Sequence, residues 1–441
     1  MTSRPGSGGV SRPPSVLRSV LACNYGVCFE GFDFIVYSAF SRYISHHFFP
    51  AENEAVSTLL TLGTFGVSYV VRPLGGLVWG RLADRYGRRP VLVWIALMMS
   101  IGVALIALTP SYATIGWSAS VLVMVARVIQ GFAAGGEFGG ATAMLVELAP
   151  ERRRGLFAST QMATQAVTAG LASAAVLLLD ALLSPEALAD WGWRLVFGFG
   201  VLLAPIGLYM RRRMAESPEY LRYSAEGDVA ARTSLVRVFR DHPREVAMVA
   251  GLTVVGSASF YLLFVFLPSH AGRKLHIDMM DVQKSVIVAA ALQVAACLAG
   301  GALSDRYGRR PVLLAGAIGY GVLCYPAFAL LNDAPTFGRL VAAQAMLSVA
   351  IGLLSGAFPA AISELFSPET RSSGVGLVYN LVGGVFGGLG PFLITSYMNL
   401  TGDTQSPAYW ALLTGLVGVA AALTIRPRRA TTVKEAGRVT A

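Results

Sequence analysis

The loop GRLADRYGRRP, from Gly80 to Pro90, returns as GALSDRYGRRP from Gly301 to Pro311, with nine of eleven positions identical at an offset of 221 residues. A second pair follows in the same order: ELAPERRRG from Glu147 to Gly155 and ELFSPETRSSG from Glu364 to Gly374. The chain is therefore two copies of one unit. The sequence around each copy is almost wholly apolar, and a membrane chain that repeats half of itself folds as two related bundles about a central site.

Of the 441 residues, 54% are hydrophobic and 14% charged, and the mean hydropathy is +0.59. A soluble protein of this composition would have no polar surface to show water. Crossing the roughly 30 Å hydrocarbon layer takes about 20 apolar residues per helix. Twelve such stretches are present, at 19–45, 57–79, 91–109, 117–146, 156–180, 193–210, 245–269, 282–303, 311–331, 337–364, 373–398 and 408–425. The expected fold is an all-α membrane protein of twelve transmembrane helices in two six-helix bundles. Its parts are a tail (1–18), a first bundle (19–210), a linker (211–244), a second bundle (245–425) and a tail (426–441).

The net charge of +10 is topological. Arg12 and Arg18, the signature loops, Arg152 to Arg154, Arg211 to Arg213, Arg232 to Arg244, Arg371 and the tail from Arg426 fall on one side of the membrane. His46, His47, Glu52, Glu54, Glu186, Asp190, Asp333 and Asp403 fall on the other, where only the Arg273 and Lys274 pair breaks the pattern. The positive-inside bias puts both termini in the cytoplasm, leaves lipid as the partner of the basic face and gives no support for nucleic acid. In the linker, Leu235, Val238 and Phe239 share a helical face against Arg232, Arg237 and Arg240, which suits either an interfacial helix or a solvated linker. Met1 to Leu17 has no signal-peptide pattern and reads as a tail. Cys23, Cys28, Cys297 and Cys324 lack ligand-type spacing. With no Walker loop, zinc motif or catalytic triad, the expectation is a chain that is not an enzyme and holds no metal or cofactor.

In each signature loop, Gly80, Gly87 and Gly308 permit tight turns, Asp84 and Asp305 face neighbouring helix ends, and Arg85, Arg88, Arg306 and Arg309 are expected to anchor to lipid headgroups. With Glu147 and Glu364 they make a candidate gate, charge contacts that hold one membrane face shut and break when it opens.

Ionisable groups within the membrane are costly and mark function. They are Glu30 and Asp33 on helix one, Arg72 on helix two, and Arg127 and Glu137 on helix four, all in the first half. At about 1.5 Å per residue, Asp33 and Arg127 lie level at roughly 15–18 Å depth, Glu30 and Arg72 level at roughly 21–23 Å, and Glu137 near 30 Å. A carboxylate beside an arginine stays ionised, and an anion competing for that arginine releases it to take a proton. Asp33, Glu30 and Glu137 are thus the proton-coupling candidates, and Arg127 and Arg72 the substrate-binding ones. The structural alternatives are an ion pair tying helix one to helix four, a lock near the inner gate for Arg72 with Glu30, and a buried interhelical partner for Glu137 among its glycines. Gln161, Gln165, Tyr37, Tyr379 and Asn380 complete the cavity candidates. The second half offers only neutral groups at depth, Tyr261, Gln293, Tyr320 and Gln344 among them. Arg194 reads as an interfacial anchor beside Trp191 and Trp193. Gly383, Gly384, Gly387 and Gly388 read as a packing face on helix eleven.

The loop G-x-L-x-D-x-x-G-R-R, matched in both halves, resembles the signature of the major facilitator superfamily over essentially the whole chain. EGFDF at Glu30 to Phe34, RPLGG at Arg72 to Gly76, RVIQGFAAGGEFGG at Arg127 to Gly140, WGWR at Trp191 to Arg194 and ESPEY at Glu216 to Tyr220 are similar to the metabolite:proton symporter family. FFPAENE at Phe48 to Glu54 looks most like the citrate and tricarballylate carriers. The resemblance implies a monomeric, multi-pass protein of a bacterial inner membrane, driven by the proton gradient without a cofactor, that imports a polycarboxylate with protons. Val27 and Gly31 depart from the family pattern, which usually has Asn and an aromatic residue or Gln there. Import of a zwitterionic osmolyte or an aromatic acid, and a non-transporting sensor, stay open. The absence of proline between Ser159 and Ala175 sets the chain apart from drug:proton antiporters, and the short tail after Thr424 from osmosensing carriers with a coiled coil.

Overall fold

The computed structural model describes residues 16–50, 54–212, 214, 216, 217, 221, 240–367 and 370–425. The amphipathic stretch around Leu235, residues 1–15 and the tail 426–441 lie outside the described residues, and Val16 to Arg18, read as tail, open the first helix. The first half runs α1 (Val16–Ala39), α2 (Glu54–Tyr86), α3 (Arg88–Leu108), α4 (Trp117–Leu148), α5 (Arg154–Leu182) and α6 (Trp193–Arg212). The second half runs α7 (Pro243–Tyr261), α8 (Met279–Tyr307), α9 (Arg309–Asp333), α10 (Phe337–Ser363), α11 (Arg371–Gly383) and α12 (Ser406–Thr424). α7 continues through a π-helical turn, Leu262–Phe266, into Leu267–Arg273, and α11 through Gly384–Gly388 into Gly390–Thr401.

Eleven spans among the described residues are long and apolar enough to cross a membrane. α2 is the remaining long helix; Ser, Thr and Gly dilute it, and Arg72 and Arg81 interrupt it. One expectation is corrected here. The first apolar stretch, read as 19–45, is a helix ending at Ala39 followed by a separate short helix, Ser41–Phe48.

Lipid is as apolar as leucine, so membrane helices gain little from hydrophobicity alone and associate through close backbone approach at small residues. Gly131 and Gly135 bring α4 onto Ser68 and Arg72 of α2, and Gly352 and Gly356 bring α10 onto Gln293 and Cys297 of α8. One apolar core lies wholly in the first half, from Val20 to Met214. The other fills the second half and extends onto Phe138, Met162, Ala163, Ala166 and Ala169, so it spans the seam. Across that seam α5 lies along α8 and α2 along α11. The turns from α2 to α3 and from α8 to α9 are made at Gly87 (φ 101°) and Gly308 (φ 94°), in backbone regions L side chains avoid. Gly80 and Gly301 serve another purpose: a Cβ at Gly80 would lie 2.8 Å from Ser373 Cα, and one at Gly301 would lie 2.7 Å from Gly155 O, each across the seam.

Candidate functional site

Four residues on one face of α1 organise the interior: Glu30, Asp33, Phe34 and Tyr37, spaced so that helical geometry stacks them. Glu30 pairs with Arg72 of α2 at 2.8 Å. Asp33 pairs with Arg127 of α4 at 3.0 Å. Phe34 sits between the two guanidinium groups, 4.4 Å from that of Arg72 and 5.6 Å from that of Arg127. Both pairings follow the depth estimate, but their surroundings differ.

The Glu30–Arg72 pair faces the seam. Arg72 also lies 4.6 Å from the Tyr69 ring, and the Tyr69 hydroxyl hydrogen-bonds the Tyr261 hydroxyl of α7 across the seam. Tyr261 rests on Gly387, and Tyr69 on Gly384 and Gly388, so the glycine face of α11 makes room for the two rings. Tyr379, also on α11, stacks on Phe138 of the first half with centroids 3.4 Å apart. Gln165 of α5 lies beside its hydroxyl. Asn380 donates to the Gly135 and Gly376 carbonyls, each at 2.6 Å. Glu30 and Arg72 keep 15% and 12% of their side-chain surface exposed, which leaves them reachable when the halves separate.

The Asp33–Arg127 pair belongs to the interior of the first half. Arg127 is fully buried, lies 3.5 Å from the Tyr37 ring, and shares its backbone carbonyl with Ser68. Tyr37 is itself held by Thr64 at 2.8 Å. A cleft between α1, α3 and α6, lined by Phe29, Asp33, Val103 and Phe197, reaches Asp33 from the side away from the seam. Gln161 is likewise committed within its half: it accepts from Thr142 at 2.7 Å and donates to the Phe138 carbonyl at 3.2 Å. The expectation that Gln161 lines the cavity is therefore corrected.

Glu137 pairs with Arg211 at the end of α6, and Arg211 also donates to the Leu92 carbonyl of α3 at 2.5 Å. Arg211, grouped in the sequence with the cytoplasmic loop arginines, is fully buried. Gly26 is the signal that accommodates it, because any Cβ there would collide with the Arg211 guanidinium. Glu137 thus ties three helices of one half together. Arg194 donates to the Ala107 and Thr109 carbonyls at 3.0 and 2.7 Å, closing the end of α3 as an anchor.

At the other end of the seam, each signature aspartate caps a helix of the opposite half. Asp84 accepts from the Ser373 backbone N–H at 3.1 Å and from the Ser373 hydroxyl, at the start of α11. Asp305 accepts from the N–H groups of Gly155 and Leu156 at 2.7 and 2.9 Å, at the start of α5. Free N–H groups and the positive end of the helix dipole both favour a carboxylate there. Two arginines expected at lipid headgroups turn inward instead: Arg88 meets Glu147 at 3.3 Å, and Arg309 meets Asp305 at 2.7 Å and Glu364 at 2.8 Å. A buried carboxylate attracts a guanidinium more strongly than screened headgroups do. Arg85 and Arg306 lie over the adjacent Tyr86 and Tyr307 rings. Arg371, read from the sequence only as a charge on the basic side, crosses the seam to Glu147 at 2.9 Å.

Two helical bundles closed on each other by a repeated capping device, with an ion pair at their seam, make the two-bundle architecture of a secondary transporter. Models of the "Sugar (and other) transporter" family and of the Major Facilitator Superfamily match residues 19–251 and 249–440, and the chain belongs to the major facilitator superfamily as a multi-pass inner-membrane protein. It is 34% identical to a citrate-proton symporter of Klebsiella pneumoniae, covering 95% of this chain and 94% of that one. It is 30% identical to a proline/betaine transporter of Escherichia coli strain K12, covering 93% and 83%. Among solved structures, the proton:xylose symporter XylE bound to 6-bromo-6-deoxy-D-glucose shares the fold, with a TM-score of 0.76 at 17% identity over 92% of this chain and 94% of that one.

Proposed function

We propose that this protein is a proton-coupled symporter that imports an organic acid, a di- or tricarboxylate such as citrate or tricarballylate, with Arg72 as the carboxylate anchor and Glu30 as the proton carrier. The observation that carries the reading is the Glu30–Arg72 pair at 2.8 Å, partly exposed at the seam and bounded by a tyrosine pair that spans both halves. A substrate carboxylate competing for Arg72 frees Glu30 to take a proton, and the neutralised site reorients between the halves. The relatives named as citrate-proton symporters support the same reading. Asp33 with Arg127 acts behind this pair, holding Phe34 between the two guanidinium groups.

A second reading has its own observation. Arg72, set against the rings of Phe34 and Tyr69 with Tyr261 hydrogen-bonded to Tyr69, also suits a zwitterion, its carboxylate on Arg72 and its ammonium over an aromatic face. Relatives named as proline/betaine transporters favour it. The deciding experiment is uptake of labelled citrate, tricarballylate, proline and glycine betaine into proteoliposomes under an inward proton gradient, with and without a protonophore. Protonophore-sensitive accumulation of an acid supports the first reading; accumulation of betaine or proline alone replaces it with the second.

A further inference from the structure

The two halves repeat in structure as well as in sequence, and the repeat shows what the second half carries where the first carries its arginines. Gln293 stands 221 residues after Arg72, the offset of the signature loops, and Gln344 stands 217 after Arg127, the offset from Glu147 to Glu364. The packing confirms the register. The Arg72 carbonyl and the Gly76 amide lie against Gly135, and the Gln293 carbonyl and the Cys297 amide lie against Gly352, the equivalent glycine, at 3.1 Å from where its Cβ would stand.

In the first half each of these positions has a charged partner on α1. In the second half the amides are buried, Gln344 fully and Gln293 at 1% exposure. Neither end of the Gln344 amide has a hydrogen-bond partner within the protein, nor has Gln293 Oε1, nor the hydroxyl of Ser348, which is also fully buried. Gln344, Ser348 and Gly352 follow one another at helical spacing on the face of α10 that meets α8. Gln293 lies on the stripe of α8 that meets α5 of the first half, between Ala290, which abuts Gly170, and Cys297, which donates to the Ser159 carbonyl. Through Gln293 the polar stripe reaches the α5–α8 contact between the halves.

We infer that Gln344, Ser348 and Gln293 form the second half's contact with the substrate, a neutral subsite for an un-ionised hydroxyl group, while the first half takes the carboxylate. The donor and acceptor inventory selects the ligand. A carboxylate would leave the Gln344 acceptor unsatisfied and an ammonium would leave its donor unsatisfied, whereas a hydroxyl both gives and receives. Buried amides left without partners are destabilising, and a site built to bond a hydroxyl rejects the analogue that lacks it. This rests on the organic-acid reading above.

Citrate and tricarballylate differ by one hydroxyl, which makes them the test pair. Uptake of each is measured in proteoliposomes carrying the full chain or its Gln344→Leu and Gln293→Leu variants, with melting temperature in detergent as the check on folding. Leucine matches glutamine in size, and at Gln344 it removes only unpartnered polar atoms, so Gln344→Leu should melt no lower than the parent. The expected result is a tenfold or greater rise in the half-saturating concentration of citrate with that of tricarballylate within twofold, and Gln344→Asn between parent and Leu. Equal loss for both acids would assign these residues a purely structural role, and no change for either would leave only ordered water as their partner; both results overturn the subsite. A parent protein that takes up neither acid overturns the organic-acid reading and the subsite with it, and that is seen before any variant is made.

Discussion

Asp305→Asn isolates the cross-half cap on one side of the gate. The carboxylate accepts two backbone N–H groups at the start of α5 and is neutralised by Arg309 at 2.7 Å. Asparagine keeps one carbonyl oxygen, so one backbone bond survives as a neutral bond while the other and the charge are lost. Arg309 retains Glu364, through bonds of 2.8 and 3.2 Å, and is not stranded. Hydrogen bonds to charged groups contribute about 1.5–3 kcal/mol, so the closed seam should lose about 2 kcal/mol. At about 1.4 kcal/mol per tenfold, that raises the population with this face open by about thirtyfold. The chain supplies its own reporter, because Cys297 lies buried in the α5–α8 seam with its thiol on the Ser159 carbonyl at 3.4 Å. In membrane vesicles, N-ethylmaleimide labelling read by mass spectrometry at Cys297 should accelerate at least tenfold in Asp305→Asn. Labelling at Cys23, buried in the core of the first half, should not change. A Cys297 rate within threefold of the parent would refute the assignment of Asp305 as a cap that holds the halves together.

Glu30→Gln should abolish accumulation against a gradient while leaving counterflow exchange, because Arg72 still has a hydrogen-bond partner but no proton can be carried; unimpaired protonophore-sensitive accumulation would contradict the role given to Glu30. Arg127→Ala leaves Asp33 as an unpaired buried carboxylate, a cost of about 3–5 kcal/mol. Its melting temperature in detergent should fall sharply, while the neutral double variant Asp33→Asn with Arg127→Gln should recover most of the loss, and a double variant as unstable as the single would argue against the pair. Arg211→Ala should lower the melting temperature through stranded Glu137, whereas Arg212→Ala, exposed one residue on, should leave it unchanged.

Some of the site could be read from the chain because depth in a membrane is nearly linear in residue number. Counting along the helices put Asp33 level with Arg127 and Glu30 level with Arg72, and both pairs form. The same count could not rank them, since depth says nothing about which way a helix face turns; only the assembled bundles put Arg72 at the seam and Arg127 inside the first half. Gln161 illustrates the limit, sharing a helix face with Gln165 yet spending both ends of its amide on α4.

The sequence by itself determined the duplication, the apolar helices, the restriction of intramembrane charge to the first half and the two signature loops with their aspartates, because these depend on composition, spacing and repeat alone. Tertiary structure decided where the flanking arginines go. Arg88, Arg211 and Arg371 look like surface charges in a one-dimensional reading, yet each is drawn inward by a carboxylate on another helix, Glu147 or Glu137. The reason is physical: a guanidinium at a helix end lies within reach of both water and the bundle interior, and a buried carboxylate that only folding brings near decides which it takes.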